Sequence, residues 1–454
     1  MRLLPRSIDL KGELFSSTFT YGVTAAIKFA SSLILTRLLS PEAYGIFGIL
    51  MSITFVIELV SDVGFVALLV RHPRGAEVKF IHTIWTVRLF RCCLLFSITF
   101  LSAPLVSAIY GAPALEKALR VLSLQFLISA PESMSFILAQ RDRRARISNY
   151  ADMISGALSS AFVILLAIYL KNHFAFILGF LFQRALLTIA SHFFYRDIGI
   201  GFAFDRQALA DQFSFTRLVM PSSMLTMVLS QYDKLVLLKL FNLGTLGVYG
   251  LAQNMIGLVN GMIMHNARIV LYARCAEYFR TNPATACSRY YKENSRLLLL
   301  GMILPALVAG FSQPIVDILY DARYSMAGPV LMILGLSGII SSIHHASENL
   351  LVASGQTHVV LVANIVRLCT VVPATLIGYY FFGLYGFLWF NLVAALILLA
   401  YFYFEQKKRD LLRLGNEVAM LCVALTAFLL SAAAGHLLLK FIPASWLHLG
   451  TNKH

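Results

Sequence analysis

The sequence predicts an all-α, polytopic membrane protein made of two six-helix bundles and one extra C-terminal helix, and three observations carry this prediction. Of the 454 residues, 59% are hydrophobic and only 13% are charged, whereas soluble domains are about half apolar and a quarter charged. Thirteen continuous apolar stretches reach the ~20 residues that a helix needs to cross a bilayer, which excludes an alternating β-barrel pattern. Part of the first half also recurs in the second.

Each apolar stretch is predicted to form one membrane-spanning helix. The first stretch is too long for a signal peptide, so we expect it to remain in the protein as a span. The predicted spans are 14–37, 43–70, 82–109, 118–140, 148–170, 173–194, 217–239, 244–268, 296–320, 328–352, 357–381, 384–405 and 416–439.

Basic residues are concentrated in alternate loops. The segments that precede span one and follow spans two, four, six, eight and twelve each hold several Lys or Arg residues, whereas the intervening loops hold about one. This positive-inside pattern predicts a cytoplasmic N-terminus. The net charge of +15 therefore reflects topology and attraction to anionic membrane lipid, and we do not expect nucleic acid as a partner.

The loops are too short to hold a catalytic domain. The two longest, 195–216 and 269–295, are both predicted to be cytoplasmic, and the first has the apolar spacing of an interfacial helix. The sequence contains no Gly-rich phosphate loop, no HExxH motif and no Gly-framed serine nucleophile. Its six cysteines form no CxxC pair. We therefore predict a protein that is not an enzyme and that holds no metal or other cofactor.

An internal repeat relates the two halves. LILTRLLSPEAYGIFG (33–48) recurs as LVLLKLFNLGTLGVYG (235–250), so that Arg37 matches Lys239 and Gly45 matches Gly247 at an offset of 202 residues. The offset covers six spans, an even number, so both halves enter the membrane in the same sense and form a parallel repeat. The predicted organisation is an N-terminal bundle (1–194), an interfacial linker (195–216), a C-terminal bundle (217–405), and a basic segment with the extra helix and tail (406–454).

Charged residues inside the spans are expensive, at about 2.5–3.5 kcal/mol each on insertion scales. We therefore expect many of them to face a water-filled cavity between the bundles. The basic set is Lys28, Arg88, Arg91 and Arg367, and the acidic set is Glu58, Asp62 and Asp233. Polar residues at helical spacing extend these faces; they are Tyr21, Thr24 and Ser31 in span one, Thr226 and Ser230 in span seven, and Asn254 and Asn260 in span eight.

Structural roles are the alternative for several of these charges. Arg91 and Arg184 either line the cavity or extend to the lipid headgroups. Lys28, Arg88 and Arg367 either face the cavity or pair with Glu58 or Asp62. The carboxylates of Glu132 and Asp152 lie near the arginines of 141–146 and are candidate partners for them, and Lys234 is a candidate partner for Asp233.

Four segments carry a resemblance to a known family. They are TRLLSPEAYGIFG (36–48), ELVSDVGF (58–65), RVLSLQFLISAPESMSFILAQRDRRAR (120–146) and SQYDKLVLLKLFNLGTLGVYGLA (230–252). Together they resemble the polysaccharide transporter family, the flippases of lipid-linked oligosaccharides, which are related to multidrug and toxic compound extrusion transporters and to the lipid II flippase.

The resemblance implies a V-shaped pair of bundles around a central cavity in the bacterial cytoplasmic membrane. It implies an undecaprenyl-diphosphate-linked sugar repeat unit as substrate, turned to the outer leaflet by alternating access during O-antigen, capsule or exopolysaccharide synthesis. The basic set would then receive the diphosphate. The acidic set would balance charge or carry a coupling H⁺ or Na⁺, and other polysaccharide-assembly proteins would be partners.

Two other functions stay open. A cation-coupled drug or small-molecule exporter of the same architecture would be expected to have an acidic cavity. A membrane polymerase or ligase would be expected to have a large outward-facing loop with catalytic residues, and no such loop is present in the sequence. The glycan, the coupling ion, the oligomeric state and the choice among 12, 13 and 14 spans do not follow from the sequence.

Overall fold

The computed structural model describes residues 10–60, 64–142, 146–193, 201–281 and 283–441, and within these ranges the chain is helical with no β-strand. Fifteen α-helices are described, and a short 3₁₀ turn (Ala322–Tyr324) precedes α13. Their bounds are α1 Leu10–Leu38, α2 Pro41–Val60, α3 Phe65–Arg71, α4 Val78–Tyr110, α5 Ala114–Ser129, α6 Ser135–Arg141, α7 Arg146–Leu170, α8 Phe174–Ser191, α9 Arg206–Leu240, α10 Leu243–Thr281, α11 Pro283–Gly310, α12 Ser312–Leu319, α13 Ala327–Ala353, α14 Thr357–Lys407 and α15 Leu414–Phe441.

Nine of the described helices are long and apolar enough to cross a membrane, namely α1, α2, α4, α7, α8, α11, α13, α14 and α15. Helix α14 covers two of the predicted spans. The remaining three predicted spans coincide with α5 and α6, with α9 and with α10. The prediction of an all-α, multi-pass membrane protein is therefore confirmed.

Several predicted spans are interrupted, and each break has a local cause. Between α2 and α3 the chain reaches Gly64 at φ 70°, a left-handed conformation that glycine adopts without strain. Pro131 lies between α5 and α6, where its ring and missing N–H end a helix. Inside α14, Gly383 has φ 60° and ψ −138°, which separates the two predicted spans.

The two long segments predicted between spans contain helix that continues into the neighbouring spans. Span seven is continuous with the end of the predicted linker, because α9 begins at Arg206 and runs to Leu240. Its start is fixed by Asp205, whose side chain accepts hydrogen bonds from the backbone N–H groups of Gln207 and Ala208. Most of the predicted loop 269–295 is likewise helical, as the end of α10 and the start of α11.

The chain divides into two compact units, the first ending at Gly247 and the second beginning at Val248. In the first unit, α7 packs between α1 and α8, α4 packs on α5, and α2 packs on α9. One core joins Phe80, Ile84 and Trp85 of α4 to Phe65 and Leu69 of α3.

In the second unit, α11 packs against both α13 and α15, and α13 packs against α14. Met420 and Ala424 of α15 belong to the main core cluster of this unit. A Cβ added at Gly310 would lie 1.9 Å from the Ser431 Oγ, so α11 and α15 approach closely. The thirteenth predicted span is therefore part of the core and not an appendage to it.

The residues matched by the repeat touch one another. A Cβ atom added at Gly45 would lie 1.9 Å from the Leu243 carbonyl oxygen, and one added at Gly247 would lie 1.8 Å from the Pro41 carbonyl oxygen. The offset of 202 residues exchanges Gly45 with Gly247 and Pro41 with Leu243. The contact is thus symmetric under the repeat, and only a residue without a side chain fits at either glycine.

The linker is attached to the start of α4. The backbone N–H of Asp205 donates to the Thr83 hydroxyl at 3.1 Å, and the Phe202 ring lies 5.5 Å from the Trp85 ring, centroid to centroid. Arg74 binds Asp205 through a 2.7 Å contact between Nη2 and Oδ2, and it also contacts Glu77. These bonds fix the start of α9 against the loop that precedes α4.

The side chains of Phe202, Phe204 and Phe213 are 74%, 76% and 71% exposed. Exposed aromatic rings on a predicted cytoplasmic segment of a membrane protein are typical of insertion into the interfacial zone of the bilayer. This arrangement agrees with the predicted interfacial helix, apart from its fusion to the following span.

Alanine at Gly45 or Gly247 is expected to destabilise the protein by about 1–3 kcal/mol, because the new Cβ must displace a backbone carbonyl. Thermal unfolding of the purified protein measures this. Gly48 and Gly250 provide a matched control, since they are related by the same offset and have nothing within 4 Å of an added Cβ. Equal stability of all four alanine variants would contradict the close contact.

Acid is expected to weaken the attachment of the linker. The hydrogen bond from Arg74 lowers the pKa of Asp205 against the opposing effect of its burial, with smaller lowering contributions from the N–H groups of Gln207 and Ala208. A carboxyl with a lowered folded-state pKa stabilises the fold above its unfolded pKa, about 3.9, and loses this contribution as the pH falls through the folded value.

Asp205→Asn should therefore be less stable than the wild type at neutral pH, with the difference disappearing in strong acid. Thermal unfolding across a pH series tests this expectation. Glu77→Gln is the control, because Glu77 also contacts Arg74 but is more exposed, and its side chain makes no capping hydrogen bond at the start of α4. Its effect should be smaller at every pH. A difference between wild type and Asp205→Asn that persists in strong acid would refute the charge-based explanation.

Candidate functional site

Arg88 of α4 is held by the break between α5 and α6. Its Nη1 donates to the Glu132 carbonyl oxygen and its Nη2 to the Ser129 carbonyl oxygen, each at 3.3 Å, and Nη2 also forms an ion pair with the Glu132 carboxylate. The Trp85 indole N–H donates to the same Glu132 carbonyl at 3.1 Å. Carbonyls at a helix end lack partners within the helix. At the break beside Pro131, Arg88 and Trp85 supply donors to the Glu132 carbonyl, and Arg88 also supplies one to the Ser129 carbonyl.

The partners of Arg88 and Glu132 differ from those expected. The structural partners that the sequence offered as alternatives were Glu58 or Asp62 for Arg88 and the arginines of 141–146 for Glu132. Arg141 instead donates to the backbone carbonyls of Leu69 at 2.5 Å, Val70 and His72. Arg141 therefore does not compete with Arg88 for the Glu132 carboxylate. The bonds to Glu132 and Ser129 engage most of the Arg88 guanidinium within the protein. Its predicted contact with a diphosphate stays a prediction.

Arg91 lies one turn further along α4. Its guanidinium donates to the backbone carbonyl of Glu58 and lies over the Phe65 ring, 5.8 Å from the centroid. The charges of Arg88, Arg91 and Glu58 all act on the Cys92 thiol, so these residues share one neighbourhood. Arg91 is thus bound to α2 and α3 and does not extend away from the helices. Asp62 lies outside the described residues.

Lys28, Asp152 and Arg184 form a second charged group, which we call the cationic group. They belong to α1, α7 and α8, and α7 packs against both of the other helices. The positive charges of Arg184 and Lys28 both act on the Asp152 carboxylate, as does the negative charge of Glu132. The two cations thus lie near one carboxylate without forming an ion pair with it, and Glu132 connects this group to Arg88.

The cationic group is accessible. Lys28 and Asp152 are exposed, and Arg184 is half-buried with its guanidinium 5.1 Å from the Phe180 ring centroid. Among the residues that the structure describes, no carboxylate lies within 4 Å of the Lys28 ammonium or the Arg184 guanidinium. Asp152, a candidate partner for the arginines of 141–146, lies instead near Lys28 and Arg184, whose charges act on it.

The predicted polar face of α1 is only partly accessible. Tyr21 and Thr24 are half-buried, about two turns and one turn before Lys28 respectively, whereas Ser31 is buried at 9% exposure. Ser31 therefore lies in the helix packing and is not accessible to a ligand in this structure.

The predicted polar face of α9 is described at its C-terminal end. The Asp233 carboxylate accepts a hydrogen bond from the backbone N–H of Lys234 at 2.9 Å, and the charge of Asp233 acts on the Lys234 ammonium. Gln231 accepts from the Ser52 hydroxyl at 2.9 Å, which joins α9 to α2. The side chains of Thr226 and Ser230 lie outside the described part of the structure.

The remaining predicted residues belong to the second unit. Asn254 is exposed and Asn260 is half-buried on α10, where the Asn260 amide lies 3.2 Å from the position of a Cβ at Gly338 of α13. The charge of Arg367 acts on His344, whose Nε2 is 2.8 Å from the Ala395 carbonyl oxygen. His344 is thus a packed histidine in contact with the backbone, and Arg367 lies near it.

Sequence reasoning missed two residues that the structure emphasises. Trp85 completes the Arg88 site, and nothing in the spacing of α4 indicates this role. Glu417, buried in α15, accepts hydrogen bonds from two tyrosines. The sequence does single out Glu417, because it is the only Asp, Glu, Lys or Arg residue of the predicted span 416–439.

Residues 34–327 match the family model described as polysaccharide biosynthesis protein, which is more than half of the chain. The chain belongs to this family. It is 22% identical over 389 residues to the succinoglycan biosynthesis transport protein ExoT of Rhizobium meliloti (strain 1021), covering 81% of this chain and 77% of that one. It is 21% identical over 351 residues to the lipopolysaccharide biosynthesis protein WzxC of Escherichia coli (strain K12), covering 76% and 70%.

Two solved structures share the fold. The lipid II flippase MurJ in an inward closed conformation aligns with a TM-score of 0.66 at 16% identity, covering 93% of this chain and 98% of that one. An inward-facing multidrug resistance MATE family transporter of the MOP superfamily aligns with a TM-score of 0.64 at 13% identity, covering 94% and 96%. At these identities the likeness concerns the fold alone.

The Arg88–Glu132 pair is expected to be strongly coupled. Arg88→Ala leaves the Glu132 carboxylate without its cation, while the Glu132 and Ser129 carbonyls keep the Trp85 indole and the Glu132 backbone N–H as donors. A loss of about 1–3 kcal/mol in unfolding free energy is therefore expected. A double-mutant cycle with Glu132→Ala should give a favourable coupling within the range of about 0.5–3 kcal/mol that contacting residues show.

The control is the Arg120–Glu116 pair on α5, an i, i+4 ion pair with both side chains more exposed. Such pairs contribute about 0–1 kcal/mol. If the two cycles give equal coupling energies, Arg88 is not the internal support of the α5–α6 break.

Proposed function

We propose that this protein is a flippase that carries undecaprenyl-diphosphate-linked oligosaccharide repeat units across the bacterial cytoplasmic membrane. The repeat units would serve the synthesis of O-antigen, capsule or exopolysaccharide. The family and its relatives support this role, because ExoT is named as a transport protein of succinoglycan biosynthesis and WzxC as a protein of lipopolysaccharide biosynthesis.

The observation that carries the proposal is the cationic group. Lys28 and Arg184 both lie near one carboxylate, that of Asp152, so the group has an excess positive charge within predicted membrane spans. A diphosphate headgroup loses water when it enters such a site and needs replacement donors. Each charge-assisted hydrogen bond from Lys or Arg contributes on the order of 1.5–3 kcal/mol, which makes a two-cation site suitable for it.

Asp152 has a separate role in this account. Without a ligand, two cations close together in a medium of low dielectric constant repel each other. The carboxylate reduces that repulsion, and a diphosphate would replace it as the partner of Lys28 and Arg184. Release then requires only that Asp152 recover its two cations, which favours turnover over tight retention.

The sugars would contact the polar residues beside this group. Tyr21 and Thr24 lie on the same stripe of α1 as Lys28 and remain half-buried. A hydroxyl and an aromatic ring suit the mixed polar and apolar faces of a sugar. The polyprenyl chain would stay in the bilayer.

Alternating access, an inner-membrane location and a cytoplasmic N-terminus are parts of the same proposal, as is coupling to H⁺ or Na⁺ through Glu58, Asp62 or Asp233. The movement breaks and forms no covalent bond, so the protein would not be an enzyme. Its product would pass to the proteins that polymerise the repeat units on the outer side of the membrane.

Replacing Lys28 and Arg184 together by Gln is expected to reduce glycan export roughly tenfold or more, since two charge-assisted contacts are lost. In a strain that lacks the wild-type gene, the lipid-linked repeat unit should accumulate while the variant remains in the membrane. Both quantities are measurable, by lipid extraction and by immunoblotting of membranes.

Two comparisons separate charge from packing. Lys28→Arg should retain most export because the charge is kept, and Arg120→Gln should export normally because Arg120 lies outside the group. Normal export from the Lys28→Gln, Arg184→Gln variant would refute the role of the cationic group.

A further inference from the structure

Helix α15 begins with a buried carboxylate that binds two tyrosines. The Glu417 side chain accepts a hydrogen bond from the Tyr291 hydroxyl at its Oε1 and from the Tyr403 hydroxyl at its Oε2, each at 2.5 Å. Tyr291 belongs to α11 and Tyr403 to α14, so one carboxylate links three helices. Glu417 is 4% exposed, which makes this a closed site.

The negative charge of Glu417 has no close cation. Among the described residues, no Lys, Arg or His nitrogen lies within 4 Å of its carboxylate. The other inward-facing carboxylate nearby, Glu405 of α14, forms an ion pair with Arg409. An ionised carboxylate that is buried without a cation is unfavourable by several kcal/mol in general, and two neutral hydroxyls only partly offset this.

The surrounding groups do not supply the missing charge. From α11, Cys287, Tyr290 and Tyr291 face the carboxylate, and Tyr403 faces it from α14. Cys287 donates to the Leu411 carbonyl and also interacts with Arg413, the nearest cation along the chain. The contacts of α12 with α15 include Pro314 beside Gly435, five turns away from Glu417.

We propose that Glu417, Tyr291 and Tyr403 form a proton-binding site that exchanges with the cytoplasmic side. A hydroxyl both donates and accepts, so a protonated Glu417 can donate to one tyrosine oxygen while accepting from the other tyrosine. The same three side chains thus accommodate both protonation states without rebuilding the helices around them. In the protonated state one tyrosine hydrogen loses its acceptor, so the connection among α11, α14 and α15 is weaker.

The location determines which side supplies the proton. Glu417 is the fourth residue of α15 and follows the segment 408–413, whose basic residues mark it as cytoplasmic under the positive-inside rule. The N-terminal dipole of α15 favours the ionised form, while burial favours the neutral one. A site with these opposing influences changes its protonation with the proton concentration on the cytoplasmic side, to which it lies nearer.

An apolar carbodiimide tests the proposal, because it modifies protonated carboxyl groups in apolar surroundings. The full-length protein in lipid nanodiscs is treated across a pH series, and modification of each carboxyl is quantified by peptide mass spectrometry. Glu417 should be modified in acid and progressively less as the pH rises. Glu405, half-buried on α14 and paired with Arg409, is the internal control and should stay unmodified throughout.

The tyrosines give a second readout. Tyr403→Phe removes a donor to the ionised carboxylate, so modification of Glu417 at neutral pH should rise on the order of tenfold. A purely structural role would lower the unfolding temperature of this variant without changing the modification. Absence of modification at every pH, modification independent of pH, or equal modification of Glu405 would each overturn the proposal.

Sodium is examined in the same experiment. Protection of Glu417 by added sodium at constant pH and ionic strength would assign the site to a metal cation and overturn the proton assignment. No arm of the test measures glycan transport, so its failure and the failure of the proposed function are distinguishable.

Discussion

Compensation of charge inside an apolar bundle is the constraint on which the first unit depends. Arg88 cannot remain in α4 without acceptors, and the break at Pro131 supplies two backbone carbonyls and the Glu132 carboxylate in one place. The break is in turn stable because Arg88 and Trp85 occupy its carbonyls. Helix α4 and the α5–α6 turn therefore require each other, and the position of Glu132 then affects Asp152 and the cationic group.

The basic residues of the first unit have two different roles. Arg88 and Arg91 are bound to carbonyls and, in the case of Arg88, to a carboxylate, so they support the helices. Lys28 and Arg184 lie near Asp152 at a more accessible place, where an anionic ligand could compete for them. The first pair supports the helices, and in the proposed flippase the second pair would receive the anionic headgroup.

Much of the fold follows from the sequence, and the reasons are local. Apolar length predicts the helices, and the offset between Arg37 and Lys239 matches Gly45 with Gly247 as equivalent positions. That the two segments touch at these glycines is seen only in the structure. The breaks at Gly64 and Gly383 are harder to predict, because a glycine inside an apolar run interrupts a helix only when tertiary packing selects its left-handed conformation. The continuity of α9 through the linker depends in the same way on the attachment of Asp205 to Arg74.

The site is less predictable than the fold. The sequence identifies the charged residues, but pairs such as Arg88 with Glu132 join positions 44 residues apart, and their choice depends on how α4 and α5 are rotated. Arg141 turns to backbone carbonyls, which no charge pattern reveals. Glu417 stands out in the sequence as a single charge in an apolar span. Its hydrogen-bond partners, Tyr291 and Tyr403, come from two other helices and cannot be identified from the sequence.

The most direct measurement is transport by the purified protein in liposomes. A lipid-linked diphosphate oligosaccharide is placed in one leaflet, its appearance in the other is followed by enzymatic labelling of the sugar, and uptake of a cationic drug is followed in parallel. The account predicts protein-dependent movement of the diphosphate lipid, inhibited by inorganic diphosphate, and no movement of the drug. Movement of the cationic drug without movement of the diphosphate lipid would contradict it.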